Sequence, residues 1–138
     1  MKKTANFISL LTLLLLSLSL TSCVEIVNKE PDYYYDIIGT WEMEVDYYGE
    51  PWTQEEYIRF NRDGFCEKLS IWFTLDGRLI DSEYDWFQWD LYGDYLTIDG
   101  VTYRISNISY SSMVLNYGRE SRLLRRCHPG DMDQYLRY

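Results

Sequence analysis

The chain has 138 residues, of which 22 are Asp or Glu and 13 are Lys or Arg, for a formal net charge of −9. This length allows one domain, and the 17% of aromatic residues supplies ample material for a modest core. The acidic balance argues against nucleic-acid binding, because that binding depends on clustered cations that release counterions from the phosphates.

The first 22 residues predict a segment that directs export. Lys2 and Lys3 precede a run over residues 8–20 that is nearly all Leu, Ile, Ser and Thr. This run is shorter than the roughly 20 apolar residues that a transmembrane helix needs. The Leu20-Thr21-Ser22-Cys23 stretch that follows resembles the lipobox of bacterial lipoproteins. The resemblance implies that residues 1–22 are removed and that Cys23 carries acyl chains; an ordinary cleaved secretory signal is the alternative.

From the same resemblance we expect the protein in the envelope of a Gram-negative bacterium, lipid-anchored in the outer membrane and facing either the periplasm or the surface. More than one acyl chain suffices for anchoring, since each buried CH₂ contributes about 0.8 kcal/mol. Residues 23–36 contain Pro31, several charges and no helical period, so we expect a lipidated tether. We expect Tyr33, Tyr34 and Tyr35 at its end to lie against the mouth of the folded domain or to cover a strand edge, with a binding feature as the alternative.

A strict alternation begins at Gly39 and predicts the first strand, over residues 40–48. One side of this strand is mostly apolar and the other polar, which is typical of a strand with one buried face. The apolar side carries Trp41, Met43, Val45 and Tyr47, and the polar side carries Thr40, Glu42, Glu44 and Asp46.

Seven further strand candidates follow, over residues 56–60, 65–75, 82–91, 95–98, 101–105, 113–117 and 120–127. Turn signals separate them, such as Asp63-Gly64, Asp76-Gly77 and Asp99-Gly100. No stretch keeps an apolar period of 3.6 residues, which argues against a parallel α/β sheet. Residues 129–138 are expected to be a short tail with one turn of helix.

These strands predict an all-β fold, an antiparallel eight-stranded up-and-down barrel over residues 37–128. Closure is favoured over a sandwich because it removes exposed strand edges. A barrel of eight strands encloses a space for side chains or for one small ligand. The residues expected to point inward are Trp41, Val45, Ile58, Phe60, Leu96, Ile98, Tyr103, Ile105 and Leu115.

The Gly39-Thr40-Trp41 start resembles the Gly-x-Trp signature of lipocalin and calycin barrels. The body, over residues 37–127, resembles the small lipocalin-like lipoproteins of Gram-negative bacteria. The stretches that carry this likeness are Phe60 to Gly64, Gly93 to Ile98, Tyr103 to Ile105 and Met113 to Leu115.

The resemblance also implies that an arginine of the last strand covers the first-strand Trp41, as a structural lid at the closed end of the barrel. If Leu124 points inward, Arg126 takes this place; if Leu123 does, Arg125 takes it. A cation over an indole ring contributes about 0.5–2 kcal/mol.

Catalysis is not expected. His128 is the single histidine, so a histidine-based triad or a zinc cluster has little material. The acids Glu83, Asp85 and Asp90 are interpreted as solvated faces, since spacing in sequence does not establish a glycosidase pair. We expect no cofactor, no metal and no nucleic-acid partner, and a monomer.

The leading functional prediction is a membrane-anchored, lipocalin-like lipoprotein that binds a small apolar or amphipathic molecule in its barrel. The candidate ligand-binding residues are Trp41, Phe60, Phe73, Trp86, Trp89 and Tyr103. The alternative is an accessory module that binds a protein or a glycan through surface aromatic side chains and has a solid core. The volume of the cavity in the barrel distinguishes the two.

Two cysteines remain after Cys23. In an exported protein Cys66 and Cys127 could form a disulfide. They could equally be two separate buried thiols, because sequence does not show whether their Cα atoms come within bonding range.

Overall fold

A computed structural model of the protein describes residues 33–45 and 49–137. The predicted signal segment, Cys23 and most of the predicted tether lie outside the described residues, as do Asp46, Tyr47 and Tyr48 of the predicted first strand.

Eight strands and two short helices make up the described part of the chain. The elements are α1 (Tyr34–Ile37), β1 (Gly39–Met43), β2 (Trp52–Phe60), β3 (Phe65–Thr74), β4 (Leu79–Tyr92), β5 (Tyr95–Ile98), β6 (Val101–Ser106), β7 (Ser112–Tyr117), β8 (Glu120–Arg126) and α2 (Pro129–Asp133). Each strand pairs antiparallel with the next, and β8 pairs with β1 to close the barrel. The predicted all-β, eight-stranded up-and-down barrel is therefore confirmed. Neither described helix has the length and apolarity needed to cross a membrane.

The register of the strands assigns each side chain to the inside or the outside of the wall, because residues paired side by side point the same way. Trp41 pairs with Ile58, which pairs with Lys68. The inner core built from this face is Ile37, Trp41, Ile58, Phe60, Cys66, Trp89, Leu96, Ile105, Met113, Leu115 and Leu124.

Most of the residues expected to point inward do so. Ile98 and Tyr103 pack against this core, and six others belong to it. Val45 is the exception: β1 ends at Met43, so the alternation stops before Val45 reaches the core, and its side chain is half-buried.

A second core lies on the outside of the wall. There α2 and the residues after it cover the outer face of β2 and β3, and the cluster comprises Tyr57, Leu69, Ile71, Met132, Phe73, Cys127, Tyr135 and Leu136. His128 is the N-cap of α2 and forms a capping box. Its Nδ1 accepts from the Gly130 N–H at 3.0 Å, and the His128 N–H donates to the Asp131 carboxylate at 2.9 Å. The expected single helical turn is present, and it is a packed part of the domain.

The strands β3 and β4, with the first residues of β2, extend beyond the rest of the barrel on one side. The pairing of β4 with β5 ends at Trp89 and Ile98, so residues 79–87 of β4 pair with β3 alone. Leu75, Leu79 and Ile80 on this extension are exposed. The wall around the mouth of the barrel is therefore longer on the β3–β4 side than on the side of β5 to β8.

Candidate ligand-binding cavity

A cavity of about 330 Å³ opens inside the barrel at the end that carries the β5–β6 and β7–β8 hairpins. Its apolar wall is formed by Met43, Ile58, Phe87, Ile98, Val101, Tyr103 and Leu115. Charged side chains also line it, namely Lys68, Asp99, Glu120 and Arg122. The site is therefore amphipathic, because apolar and charged side chains line the same cavity.

A buried carboxylate lies between the two cations. Glu56 pairs with Met43 on β1 and with Ser70 on β3, which directs its side chain into the barrel, and the residue is 7% exposed. Its Oε1 lies 3.9 Å from the Lys68 Nζ, and its Oε2 lies 3.7 Å from the Arg122 Nη1. The Gln54 amide donates to Oε1 at 2.6 Å, whereas Oε2 has no hydrogen-bond donor among the described residues. Two cations thus share one carboxylate, at distances too long for hydrogen bonds.

The opposite end of the barrel is closed. The Arg126 guanidinium lies 4.2 Å from the centroid of the Trp41 ring and donates to the carbonyls of Ile38 (2.8 Å), Tyr110 (2.6 Å) and Asp36. The Trp41 Nε1 donates to the Ile37 carbonyl at 2.7 Å. This end therefore holds buried rings, and the guanidinium that covers Trp41 donates to three backbone carbonyls.

Parity selects Arg126 over Arg125 for this position. Leu124 is fully buried inside the barrel, and Arg126, two residues later, points to the same side. Arg125 pairs with Glu42 on the outer face and is exposed.

Three of the residues predicted to bind ligand pack at the closed end instead. Trp41 and Phe60 are fully buried, and Trp89 is 6% exposed with its ring 5.4 Å from that of Phe60. The Trp89 Nε1 donates to the carbonyls of Asn61 and Phe65, both at 3.1 Å. These side chains form the floor beneath the cavity and do not line it.

The end of the predicted tether takes part in this floor. Residues 34–37 form α1, and Tyr34 stacks on Trp89 with the ring centroids 5.5 Å apart. Tyr34 also donates to the Arg62 carbonyl at 2.9 Å. The folded domain therefore begins before residue 37, because this tyrosine covers the closed end.

The remaining predicted residues divide between the two sides of the wall. Tyr103 lines the cavity. Phe73 lies on the outer face, with its ring 6.0 Å from that of Tyr135, and Trp86 lies on the outer face of β4 and is 59% exposed. The expectation that Phe73 helps to fill the barrel is wrong, because the face of β3 that includes it packs under α2. Trp86 pairs with Glu67 and lies on the same outer face, so it does not line the cavity in the barrel.

The charged lumen residues Glu56, Lys68 and Arg122 were not among the sequence candidates. A signal was present for two of them: Glu56 has the parity of Ile58 and Phe60, and Arg122 that of Leu124. Lys68 had none, because both sides of β3 carry apolar residues.

Cys66 and Cys127 are free thiols on opposite sides of the wall. Cys66 belongs to the inner core and Cys127 packs against the outer one. Burial raises the pKa of each thiol to about 11. Of the two alternatives, the structure has the separate thiols.

Comparison with known proteins adds one similar solved structure. A lipocalin-like protein from Bacteroides uniformis ATCC 8492 is 18% identical over 67% of this chain and 99% of its own, with a TM-score of 0.43. No family model and no curated protein matches the chain. The closed eight-stranded topology itself defines the fold, an up-and-down barrel of the kind that lipocalins also have.

Proposed function

We propose that the protein is a lipid-anchored, non-catalytic binding protein of the Gram-negative cell envelope that holds a small amphipathic molecule in its barrel. The observation that carries this proposal is the cavity of about 330 Å³, with an apolar wall and two cations. Ligand pockets are typically about 300–1,000 Å³, mostly apolar with a few placed polar groups.

The distribution of large side chains favours a binding barrel over a solid interaction module. The closed end holds the large side chains Trp41, Phe60 and Trp89, and Tyr34 covers Trp89 there. At the other end Phe87 and Tyr103 line an open cavity, and Phe73, which would have helped to fill it, is outside. The closed end is filled by side chains, and the cavity at the other end has room for a ligand.

A non-catalytic role is supported by the placement of the reactive groups. His128 caps α2 on the outer side of the barrel. In the lumen, the charged groups that contact Glu56 among the described residues are the cations Lys68 and Arg122, neither of which pairs it with a second acid.

The anchor is supported by the sequence alone, through Lys2, Lys3, the apolar run and the lipobox-like stretch before Cys23. The test is a Cys23→Ser chain expressed in a Gram-negative host. We expect loss of acylation, measured by mass, and a changed membrane partition. Unchanged mass of the mature chain and unchanged partition would contradict the anchor.

The binding role is tested with N-phenyl-1-naphthylamine, a neutral apolar probe that fluoresces when it leaves water. The protein is made from residue 24 onward, which retains every contact described over residues 33–137 and avoids detergent. We expect saturable binding by the wild type and its loss in Leu115→Trp, which fills the cavity.

Val114→Trp is the matched control, since Val114 pairs with Leu123 on the outer face of the same strand. It should bind the probe like the wild type. Equal binding by Leu115→Trp and the wild type would place the probe elsewhere and refute the proposal.

A further inference from the structure

We propose that the ligand of the cavity carries a single negative charge, held between Lys68 and Arg122, with its apolar body against the inner wall. The chemical class is a small amphipathic monoanion, such as a medium-chain carboxylate. This inference rests on the proposed function and specifies the ligand of that same site.

The two cations reach the same space from different strands. Lys68 is on β3 and pairs with Ile58, while Arg122 is on β8 and pairs with Leu115. Both line the cavity, with side chains 37% and 47% exposed. Two strands, β1 and β2, separate β8 from β3 in the closed barrel, and the charged ends of the two side chains converge on Glu56 of β2.

The donors of these cations are largely unused among the described residues. Lysine offers three N–H donors and arginine five. Within the described part of the chain, Arg122 donates to the Met43 sulfur at 3.6 Å, and Lys68 makes only its 3.9 Å ion pair with Glu56. An anionic group between them would receive charge-assisted hydrogen bonds, which are about twice as strong as neutral ones.

The ion pairs inside the lumen leave the cations incompletely matched. Glu56 supplies one negative charge to two cations, Lys68 and Arg122, while the carboxylates Asp99 and Glu120 line the same cavity and Asp85 pairs with Lys68 across β3 and β4 without an ion pair among the described residues. The apolar groups beside it are Ile58, Phe87, Ile98 and Leu115. A ligand with one anionic head and an apolar body complements both parts.

Two acids at the rim restrict the charge of the ligand. Asp99 and Glu120 stand at the hairpins of the mouth, and both are exposed. A polyanion would bring additional negative charge close to these carboxylates, whereas a single charge can be held by Lys68 and Arg122 at a distance from them. This arrangement favours a monoanion over a phosphate monoester or a citrate-like molecule.

The test is a calorimetric titration with three probes of one chain length, decanoate, decanol and decylammonium, on the protein from residue 24 onward. We expect decanoate to bind about tenfold more tightly than decanol, which corresponds to about 1.4 kcal/mol. Decylammonium should bind most weakly. All measurements are made at low ionic strength, because these partly exposed cations are screened by salt.

Variants then assign the preference to the two cations. Arg122→Gln and Lys68→Gln should each lose most of the advantage of decanoate over decanol, and an unfolding midpoint close to that of the wild type shows that they are folded. Arg122→Lys should retain part of it. Glu56→Gln should tighten decanoate binding several-fold, because it removes the competing negative charge.

Arg119→Gln is the matched control, since Arg119 is exposed in the β7–β8 turn at the same end of the barrel. It should leave all three affinities unchanged. Equal affinity of the wild type for decanoate and decanol, or an unchanged preference in both Gln variants, would overturn the anion site while leaving the binding role intact. Failure of the wild type to bind any of the three probes would instead refute the proposed function.

Discussion

The guanidinium of Arg126 lies 4.2 Å above the indole ring of Trp41, and it joins the last strand of the barrel to the first at the closed end. The same guanidinium donates to three backbone carbonyls, those of Asp36, Ile38 and Tyr110. It therefore ties α1 and the β6–β7 connection to the seam where the barrel closes.

Replacing Arg126 by lysine should destabilise the domain by about 1–3 kcal/mol. Lysine keeps the charge, but it loses the planar stack and cannot reach three carbonyls in the fixed geometry of a guanidinium. Urea denaturation curves measure the effect. Arg125→Lys is the control, since Arg125 is exposed on the outer face. If both variants have the same urea midpoint, the stack of Arg126 on Trp41 does not stabilise the domain.

Gly39→Ala should also be destabilising. Gly39 has a φ of +130°, and a Cβ there would lie 2.5 Å from the Arg126 Nη1. Backbone strain of this kind costs about 1–3 kcal/mol, and the arginine would have to move from the indole. Gly118→Ala is the comparison, because Gly118 has a φ of +59° with nothing within 4 Å. A thermal midpoint for Gly39→Ala above that of Gly118→Ala would be inconsistent with the clash.

Met132→Ala should cost about 2–5 kcal/mol, as is usual for a large side chain removed from a core. Met132 is fully buried in the outer cluster, where it holds α2 against β2 and β3. Leu75→Ala is the control, since Leu75 is 74% exposed on the β3–β4 extension. If the two variants unfold at the same denaturant concentration, α2 contributes nothing to the stability of the barrel.

The buried thiol of Cys66 should make stability fall at alkaline pH. Desolvation raises its pKa from 9.0 to about 11 in the folded state, so between these values the unfolded chain has lost a proton that the folded chain keeps. The stabilisation is therefore complete below about pH 9 and is lost as the pH rises towards 11.

This pH effect is measured as the difference in denaturation midpoint between the wild type and Cys66→Ala, at pH 8 and at pH 10.5. Tyrosines such as Tyr84, whose pKa is raised to about 12, titrate in both proteins and largely cancel. The gap between the two proteins should narrow at the higher pH. A constant gap would show that the thiol does not titrate differently in the folded state.

The sequence by itself determined the strands, the barrel and most of its inner face. Period-two alternation placed Trp41, Ile58, Phe60 and Ile105 inside, because a strand sends alternate side chains to opposite sides of the wall. The lid was determined only as a conditional choice between Arg125 and Arg126. The burial of Leu124, which the tertiary structure supplies, settled it.

Only the tertiary structure decided which side of β3 faces inward. Both of its sides carry apolar residues, and the odd-numbered side, with Leu69, Ile71 and Phe73, is buried outside the barrel because α2 covers it. Alternation cannot distinguish an inner core from an outer one. The cluster of Glu56, Lys68 and Arg122 was hidden for a related reason, since its members come from three strands and meet only when the barrel closes.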